Sequence, residues 1–266
     1  MPFEKITSLQ NPRVKNVVQL RERRQRNKQG ATIIEGRREL ERAIEADVVF
    51  KEFYWCPKLF AGFSRDPIYQ KILSTQQLCF EVSKEVYAKM TYGEREEGLL
   101  GIGTPKYFSL DQLNLESCPL VLVIEDVEKP GNLGAILRTC DGAGVSGLIV
   151  CDEKTDIFNP NVIRASLGAI FSVPVTTATK TIVWQFLKNK GIKIVATSPQ
   201  ASLEYPQFNF KQPVALVVGS EQLGLSDFWL NKADVKIKIP MFGKVDSLNV
   251  STSTAIILYE AIRQRR

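Results

Sequence analysis

Leu216-Val217-Val218-Gly219-Ser220-Glu221-Gln222-Leu223-Gly224-Leu225 is an apolar run that breaks into a polar turn flanked by glycines. From Val214 to Val218 no polar residue alternates with the apolar ones. The run therefore reads as a strand buried on both faces, as in a parallel sheet covered by helices. Gly219, at its carboxyl end, lets a ligand approach the backbone closely. Glu221 follows where open α/β sheets place their ligands. A plain strand-to-helix turn explains the same residues about as well. The segment is neither a GxGxxG fingerprint nor a Walker loop, because the Lys-Ser/Thr pair is missing.

Runs of the same kind recur on both sides of it, at Leu120 to Ile124, Gly147 to Cys151, Ile192 to Ala196 and Val235 to Ile239. Between them helices are predicted at 132–143, 161–169, 180–190 and 250–264. The alternation predicts an α/β fold, a parallel sheet with helices on both faces, over residues 119–266. Residues 1–106 read as a smaller α/β domain. A basic amphipathic helix starts at Asn11-Pro12 and runs to Gly30. A strand at 32–35, a charged helix at 36–46, strands at 48–55 and 78–83, a helix at 84–91 and a strand at 98–104 follow. Gly101-Ile102-Gly103 reads as a tight strand end. Weak periodicity and turn chemistry make 107–118 a linker.

Composition narrows the chemistry. There is no histidine, which excludes Ser-His-Asp hydrolases and HExxH metalloproteases and removes the commonest metal ligand. Five cysteines without a CxxC pair argue against a disulfide framework or a zinc site, so no metal is expected. No apolar run approaches the roughly 20 residues of a membrane span, and no signal peptide is evident, so a cytoplasmic protein with no membrane partner is expected. The net charge is +6, and residues 1–42 carry all of it, with eleven Lys/Arg against five Asp/Glu. Such a block implies a polyanionic partner, most simply nucleic acid; a solvated helix face is the alternative. Arg13, Arg21, Arg23, Arg24, Arg37 and Arg38 are the candidate contacts.

Two further segments stand at strand ends. Glu125-Asp126-Val127-Glu128-Lys129-Pro130-Gly131-Asn132-Leu133-Gly134-Ala135-Ile136-Leu137-Arg138-Thr139 leaves a buried strand through a Pro-Gly turn into a helix. Free N–H groups at that helix start favour an anion. Ile237-Lys238-Ile239-Pro240-Met241-Phe242-Gly243-Lys244-Val245-Asp246-Ser247-Leu248-Asn249-Val250-Ser251 ends a strand at Pro240 and leads into a helix rich in small residues. A capped surface helix and a polar cap on a packing helix remain open for the two segments taken singly.

In order, Asn-x₅-Arg, Gly-Ser-Glu-x-x-Gly-Leu and Ile-x-Ile-Pro-Met…Ser-Leu-Asn-Val-Ser resemble the SpoU/TrmH-type RNA 2′-O-ribose methyltransferases of the SPOUT superfamily. The resemblance covers about 119–264. More loosely, Ile6-Thr7-Ser8…Asn11-Pro12 and Ile34-Glu35-Gly36 resemble that family's N-terminal RNA-binding extension. It implies a trefoil-knotted catalytic domain, a homodimer with active sites shared between subunits, and S-adenosyl-L-methionine bound around Thr197, Gly219, Ile239 and Leu248. It also implies that Asn132, Arg138, Glu221, Ser247 and Asn249 are active-site residues. Many relatives have Asp-Pro where this chain has Lys129-Pro130. The resemblance favours 23S ribosomal RNA as substrate, with tRNA as the alternative. A non-catalytic RNA-binding or ribosome-assembly protein that keeps the fold is the rival from another class, and a nucleotide-dependent oxidoreductase is a further one. Arg138 is the family's suggested activator of the hydroxyl. Because a guanidinium stays protonated, phosphate binding or stabilisation of a developing alkoxide is the easier role for it to fill.

Overall fold

The computed structural model describes residues 3–92, 96–115, 117–220 and 222–266. The chain forms two compact units. One contains the residues up to Lys106 together with Phe158–Ser172; the other contains Tyr107–Ile157 and Val173–Arg266.

The first unit runs β1 (Glu4–Ile6), α1 (Pro12–Gln19), α2 (Arg23–Gln29), β2 (Thr32–Glu35), α3 (Arg37–Glu45), β3 (Val49–Trp55), α4 (Pro67–Ser74), β4 (Leu78–Val82), α5 (Lys84–Met90) and β5 (Leu99–Thr104). Its sheet has the order β1-β4-β3-β5-β2. β1, β4 and β3 are parallel, whereas β5 is antiparallel to β3 and β2. Asn11 caps α1 as expected, its side chain accepting from Arg13 N at 2.8 Å, with Pro12 in the first turn. The single basic helix expected from there to Gly30 is instead two. The chain breaks between Gln19 and Arg23, and the buried Arg26 donates to the carbonyls of Leu20 (2.9 Å) and Arg21 (2.7 Å). Those bonds satisfy carbonyls that a continuous helix would have paired. Val14, Val17 and Leu20 pack with Ile33, Tyr54 and Phe80 in the core.

Gly101 and Gly103 lie inside β5 and do not mark its end. A Cβ on Gly101 would stand 2.8 Å from Leu40 Cδ2, and one on Gly103 would stand 2.9 Å from Val48 Cγ1. Close packing of neighbouring side chains against the strand requires both glycines. Neither β1 nor α4 was anticipated, although Asp66-Pro67 starts α4 with the same cap-proline chemistry as Asn11-Pro12.

The second unit contains β6 (Leu120–Glu125), α6 (Pro130–Ala143) and β7 (Gly147–Cys151). After the excursion that carries α7 (Pro160–Ala165) within the first unit, it continues with β8 (Val175–Ala178), α8 (Lys180–Asn189), β9 (Lys193–Thr197), β10 (Leu203–Glu204), β11 (Val214–Val218), α9 (Asp227–Lys232), β12 (Val235–Lys238) and α10 (Val250–Arg265). The sheet order is β10-β12-β9-β11-β6-β7-β8, and every neighbouring pair is parallel. β6, β7 and β11 are buried along their whole length, as unbroken apolar runs require. α8 and α9 cover one face through Val183, Leu187 and Trp229. The helix expected at 161–169 stops at Ala165, because Leu167 and Gly168 take φ of +53° and +80°. α10 ends on the opposite edge from the loops described next: Arg265 donates to the carbonyls of Cys118 (2.8 Å), Pro119 (3.2 Å), Phe210 (2.9 Å) and Gln212 (2.8 Å).

Candidate active site

Because all the strands of this sheet run the same way, their carboxyl ends open along one edge. The segments leaving β9, β11 and β12, together with the start of α10, enclose a cavity of about 330 Å³, within the usual size of small-molecule sites. Thr197, Gly219, Ile239 and Leu248 all line it, and so does Ser247. The turn after β11 closes on itself. Ser220 N donates to Gly224 O and Gly224 N to Ser220 O, both at 3.1 Å, and Leu223 N donates to Ser220 Oγ at 3.2 Å. This hairpin lies directly over Gly219, where a Cβ would stand 2.1 Å from the carbonyl carbon of Gly224. Only glycine can occupy that position. Across the cavity, Thr197 Oγ1 donates to Val217 O (3.2 Å) and Ser198 N to Ile237 O (2.9 Å), joining the ends of three strands. The walls mix backbone polar groups with apolar side chains such as Leu225, Leu230 and Ile257, and add the charges of Lys238 and Asp246.

Asn132 and Asn249, 117 residues apart, meet next to this cavity, with Asn249 Nδ2 donating to Asn132 Oδ1 at 3.2 Å. Asn249 also caps α10: its Oδ1 accepts from Ser251 N (2.9 Å) and Ser251 Oγ (2.6 Å). The cap fixes which end of the Asn249 amide faces Asn132. Arg138 is exposed on α6 and does not line the cavity. Six residues along a helix place it about 120° around from Asn132. Glu221 lies outside the described residues. The turn before α6 is tied to the loop after β7. Lys154 Nζ lies 3.3 Å from Asp126 and 3.1 Å from Glu128, and Thr155 Oγ1 donates to the Glu128 carbonyl.

Two residues escaped sequence reasoning. Glu125, at the end of β6, is 2 % exposed and accepts from Ser226 N (2.8 Å), Ser226 Oγ (2.7 Å) and Lys180 Nζ (3.4 Å). Its only signal was a carboxylate ending an otherwise apolar strand. Ser226 gave none, being one of many serines. Burial pushes the thiols of Cys140 and Cys151 up, which disqualifies both as nucleophiles at neutral pH. Among the described residues no group of three or more His, Cys, Asp or Glu could hold a metal ion, and no helix is long and apolar enough to cross a membrane.

In the first unit the candidate arginines divide. Arg13 pairs with Glu52 and lies 4.5 Å above the Phe80 ring. Arg21 donates to the carbonyls of Lys89 (2.7 Å) and Thr91. Arg37 grips both carboxylate oxygens of Asp66, at 2.9 and 2.8 Å. Arg23, Arg24 and Arg38 are exposed.

Residues 119–259 match the SpoU rRNA Methylase family. The chain belongs to that family. Residues 11–101 match the MRM3-like substrate binding domain. A 23S rRNA (guanosine(2553)-2′-O)-methyltransferase of Bacillus subtilis, RlmP, is 28% identical over 97% of this chain and 98% of its own length. A crystal structure of an RNA 2′-O ribose methyltransferase is 38% identical, covering 98% of this chain and 99% of that one with a TM-score of 0.86. An AdoMet-bound rRNA methyltransferase from Sinorhizobium meliloti is 29% identical over 98% of both chains, with a TM-score of 0.90.

Proposed function

We propose that this protein transfers a methyl group from S-adenosyl-L-methionine to a ribose 2′-hydroxyl of structured RNA, with 23S ribosomal RNA as the substrate. The convergence of Thr197, Gly219, Ile239 and Leu248 on one cavity, next to the Asn132–Asn249 pair, carries this proposal. The residues present fit the cofactor. Apolar Leu225, Leu230 and Ile257 suit a purine, and Ser220, Gln222 and Ser253 add polar groups to the lining. Lys238 and Asp246 provide opposite charges for a zwitterionic tail. When bound, the cofactor supplies a methyl group on a sulfonium, ready for transfer to an oxygen nucleophile.

The chain's own residues then bind and orient. The ribose oxygen would bond to the methyl carbon as the sulfur–methyl bond breaks, the sulfur keeping that bond's electron pair and leaving as a neutral thioether, while the hydroxyl proton would pass to solvent. Asn132 and Asn249, locked to each other, hold the ribose in line, and alignment of this kind supplies much of the acceleration. Arg138 stabilises the developing alkoxide or an adjacent phosphate as a cation. Its place on α6, turned away from Asn132, supports action at the cavity of a second copy in a homodimer. Ser247, in the cavity wall, completes the set together with Glu221, which the family resemblance assigns to it. Three separate segments enclosing one cavity also support the family's trefoil knot, in which the C-terminal segment threads through a loop.

The N-terminal unit grips RNA phosphates through exposed Arg23, Arg24 and Arg38, while Arg13, Arg21 and Arg37 shape the surface from within. Large-subunit ribosomal RNA is favoured over tRNA because the likeness to RlmP includes this unit. The site of action is the cytoplasm. In a test with 23S rRNA and labelled cofactor, Arg138→Ala is expected to lower turnover about a hundred-fold or more, with cofactor binding by calorimetry within about two-fold of wild type. Wild-type turnover in that variant overturns the role of Arg138, and a well-folded wild type that binds no S-adenosyl-L-methionine overturns the proposal. Mapping ribose methylation across rRNA and tRNA in cells with and without the protein decides the substrate.

A further inference from the structure

Glu125 ends β6, which pairs with β11 along its length, so it stands one position beyond the register partner of Val218. A carboxylate this deeply buried is retained only if donors meet it. Two of its three bonds come from one residue, Ser226, through the backbone N–H and the hydroxyl. Ser226 occupies the N-cap position of α9, where a serine hydroxyl ordinarily accepts from the first amides of the helix. No such capping bond is made here; the hydroxyl donates across to Glu125 instead. Ser226 immediately follows Leu225, a wall of the cavity that is 7 % exposed, and the Ser220–Gly224 hairpin that lies over Gly219. At its start the turn is held by β11, at its end by the Glu125–Ser226 clasp.

We infer that Glu125 is a positioning residue for the cofactor: through Ser226 it fixes the far end of the 219–226 turn, holding Leu223, Gly224 and Leu225 as a preformed wall of the cavity. This rests on the proposal that the cavity takes S-adenosyl-L-methionine. A wall set in place before binding spares the ordering entropy that a loose turn would lose. Such a role therefore acts on affinity for the cofactor and leaves the rate at saturation almost untouched.

The test uses the full-length protein and titrates S-adenosyl-L-methionine by calorimetry, alongside steady-state assays on RNA. Glu125→Gln keeps the shape but replaces one acceptor with a donor facing Ser226. It is expected to raise both the Kd and the KM for the cofactor about ten-fold, with kcat at saturation within about two-fold of wild type and the KM for RNA unchanged. Ser226→Ala removes the hydroxyl but keeps the backbone bond, and is expected to raise Kd about three-fold. The double variant is expected to be no worse than Glu125→Gln alone, because both changes break one clasp. Unchanged cofactor affinity in folded Glu125→Gln, additive effects in the double variant, or a loss in kcat instead of KM overturns the inference. If Glu125→Gln does not fold, Ser226→Ala decides, and wild-type affinity in that variant overturns it. Wild-type protein that fails to bind the cofactor sinks the methyltransferase proposal and this inference with it. Binding by the wild type with indifferent variants sinks this inference only.

Discussion

The two units treat their polar residues in opposite ways. In the first, the residues picked out by charge are partly drawn inward. Arg13 is taken up by Glu52 and Phe80, Arg21 by two carbonyls and Arg37 by Asp66. In the second, Thr197, Gly219, Ile239, Ser247 and Leu248, which follow strand ends or precede α10, line a cavity, Arg138 stays outside it, and other residues hold the scaffold, Glu125 at the cavity edge and Arg265 at the opposite one. The difference teaches what a sequence can reveal. A parallel sheet delivers every strand's carboxyl end to one edge, so a polar residue just past an apolar run has its place decided by topology. A charge on a helix has its role decided by whichever tertiary partner lies within reach, and no local pattern records that partner.

The largest effect should come from the position where topology leaves no freedom. Gly219→Ala places a methyl 2.1 Å from the backbone of Gly224, so the turn that lines the cavity must shift. Cofactor affinity measured by calorimetry should fall more than about a hundred-fold, while RNA binding by the N-terminal unit persists. If cofactor affinity in a folded Gly219→Ala protein stayed within about three-fold of wild type, the close approach would be dispensable, and the rim would be no more constrained than the helix surface.

A smaller pair of effects separates inward from outward arginines. Arg13→Ala leaves Glu52, which is 8 % exposed, without its cation. Denaturant melts should show a loss of about 2 kcal/mol, below the full cost of breaking a buried pair because Arg13 itself is partly exposed. Arg24→Ala combined with Arg38→Ala removes exposed side chains that meet no partner among the described residues and should change stability by under about 0.5 kcal/mol. The same double variant should flatten the slope of log RNA affinity against log salt by about 1.5, since two phosphates are no longer neutralised. An unchanged slope would reduce the basic block to a solvated surface, and an unstable double variant would erase the distinction.

Much of the second unit was legible because its strands are unbroken apolar runs of the right length. β8 was not, since Val175-Thr176-Thr177-Ala178 carries two threonines, nor was β10, a strand of two residues. In the first unit β1 is too short to show a pattern, and the break between α1 and α2 depends on Arg26, whose burial nothing local announces. At the site, Gly219 stood out in the sequence as a glycine at a strand end, but the expected reason was a ligand's approach, whereas in the structure the Gly224 backbone fills the space a Cβ would take. The pairing of Asn132 with Asn249 spans 117 residues and needed coordinates. So did the clasp of Glu125 on Ser226, where two unremarkable residue types gain a role only from burial and distance.

The smallest expected effect tests whether the second unit's ion pairs stay out of its chemistry. Arg263 donates to both oxygens of Glu260, at 2.8 and 2.9 Å, and Gln264 adds a bond at 2.8 Å. These bonds, the Arg263 ones foremost, hold the Glu260 carboxyl down at about 2 against an ordinary 4.5. A carboxyl depressed in the folded state stabilises the protein above its unfolded value, and that contribution is lost as pH falls through the folded one. The Glu260 share of stability should therefore be intact above about pH 4.5 and drain away towards about pH 2. Because the Arg263 side chain is 71% exposed, solvent screens the pair and the share is small, under about 1 kcal/mol. Thermal melts of wild type and Glu260→Gln should differ slightly at neutral pH and converge through that acid window. Gln264 in turn anchors α10 to the 208–210 loop, donating to Phe208 O (3.0 Å) and accepting from Phe210 N (2.9 Å). Glu260 thus supports the end of α10 remote from Asn249, and cofactor affinity at neutral pH should be the same in both proteins. A Glu260→Gln protein of normal stability but weakened cofactor binding would show that scaffold and rim are coupled along the whole helix, and the division between them would fail.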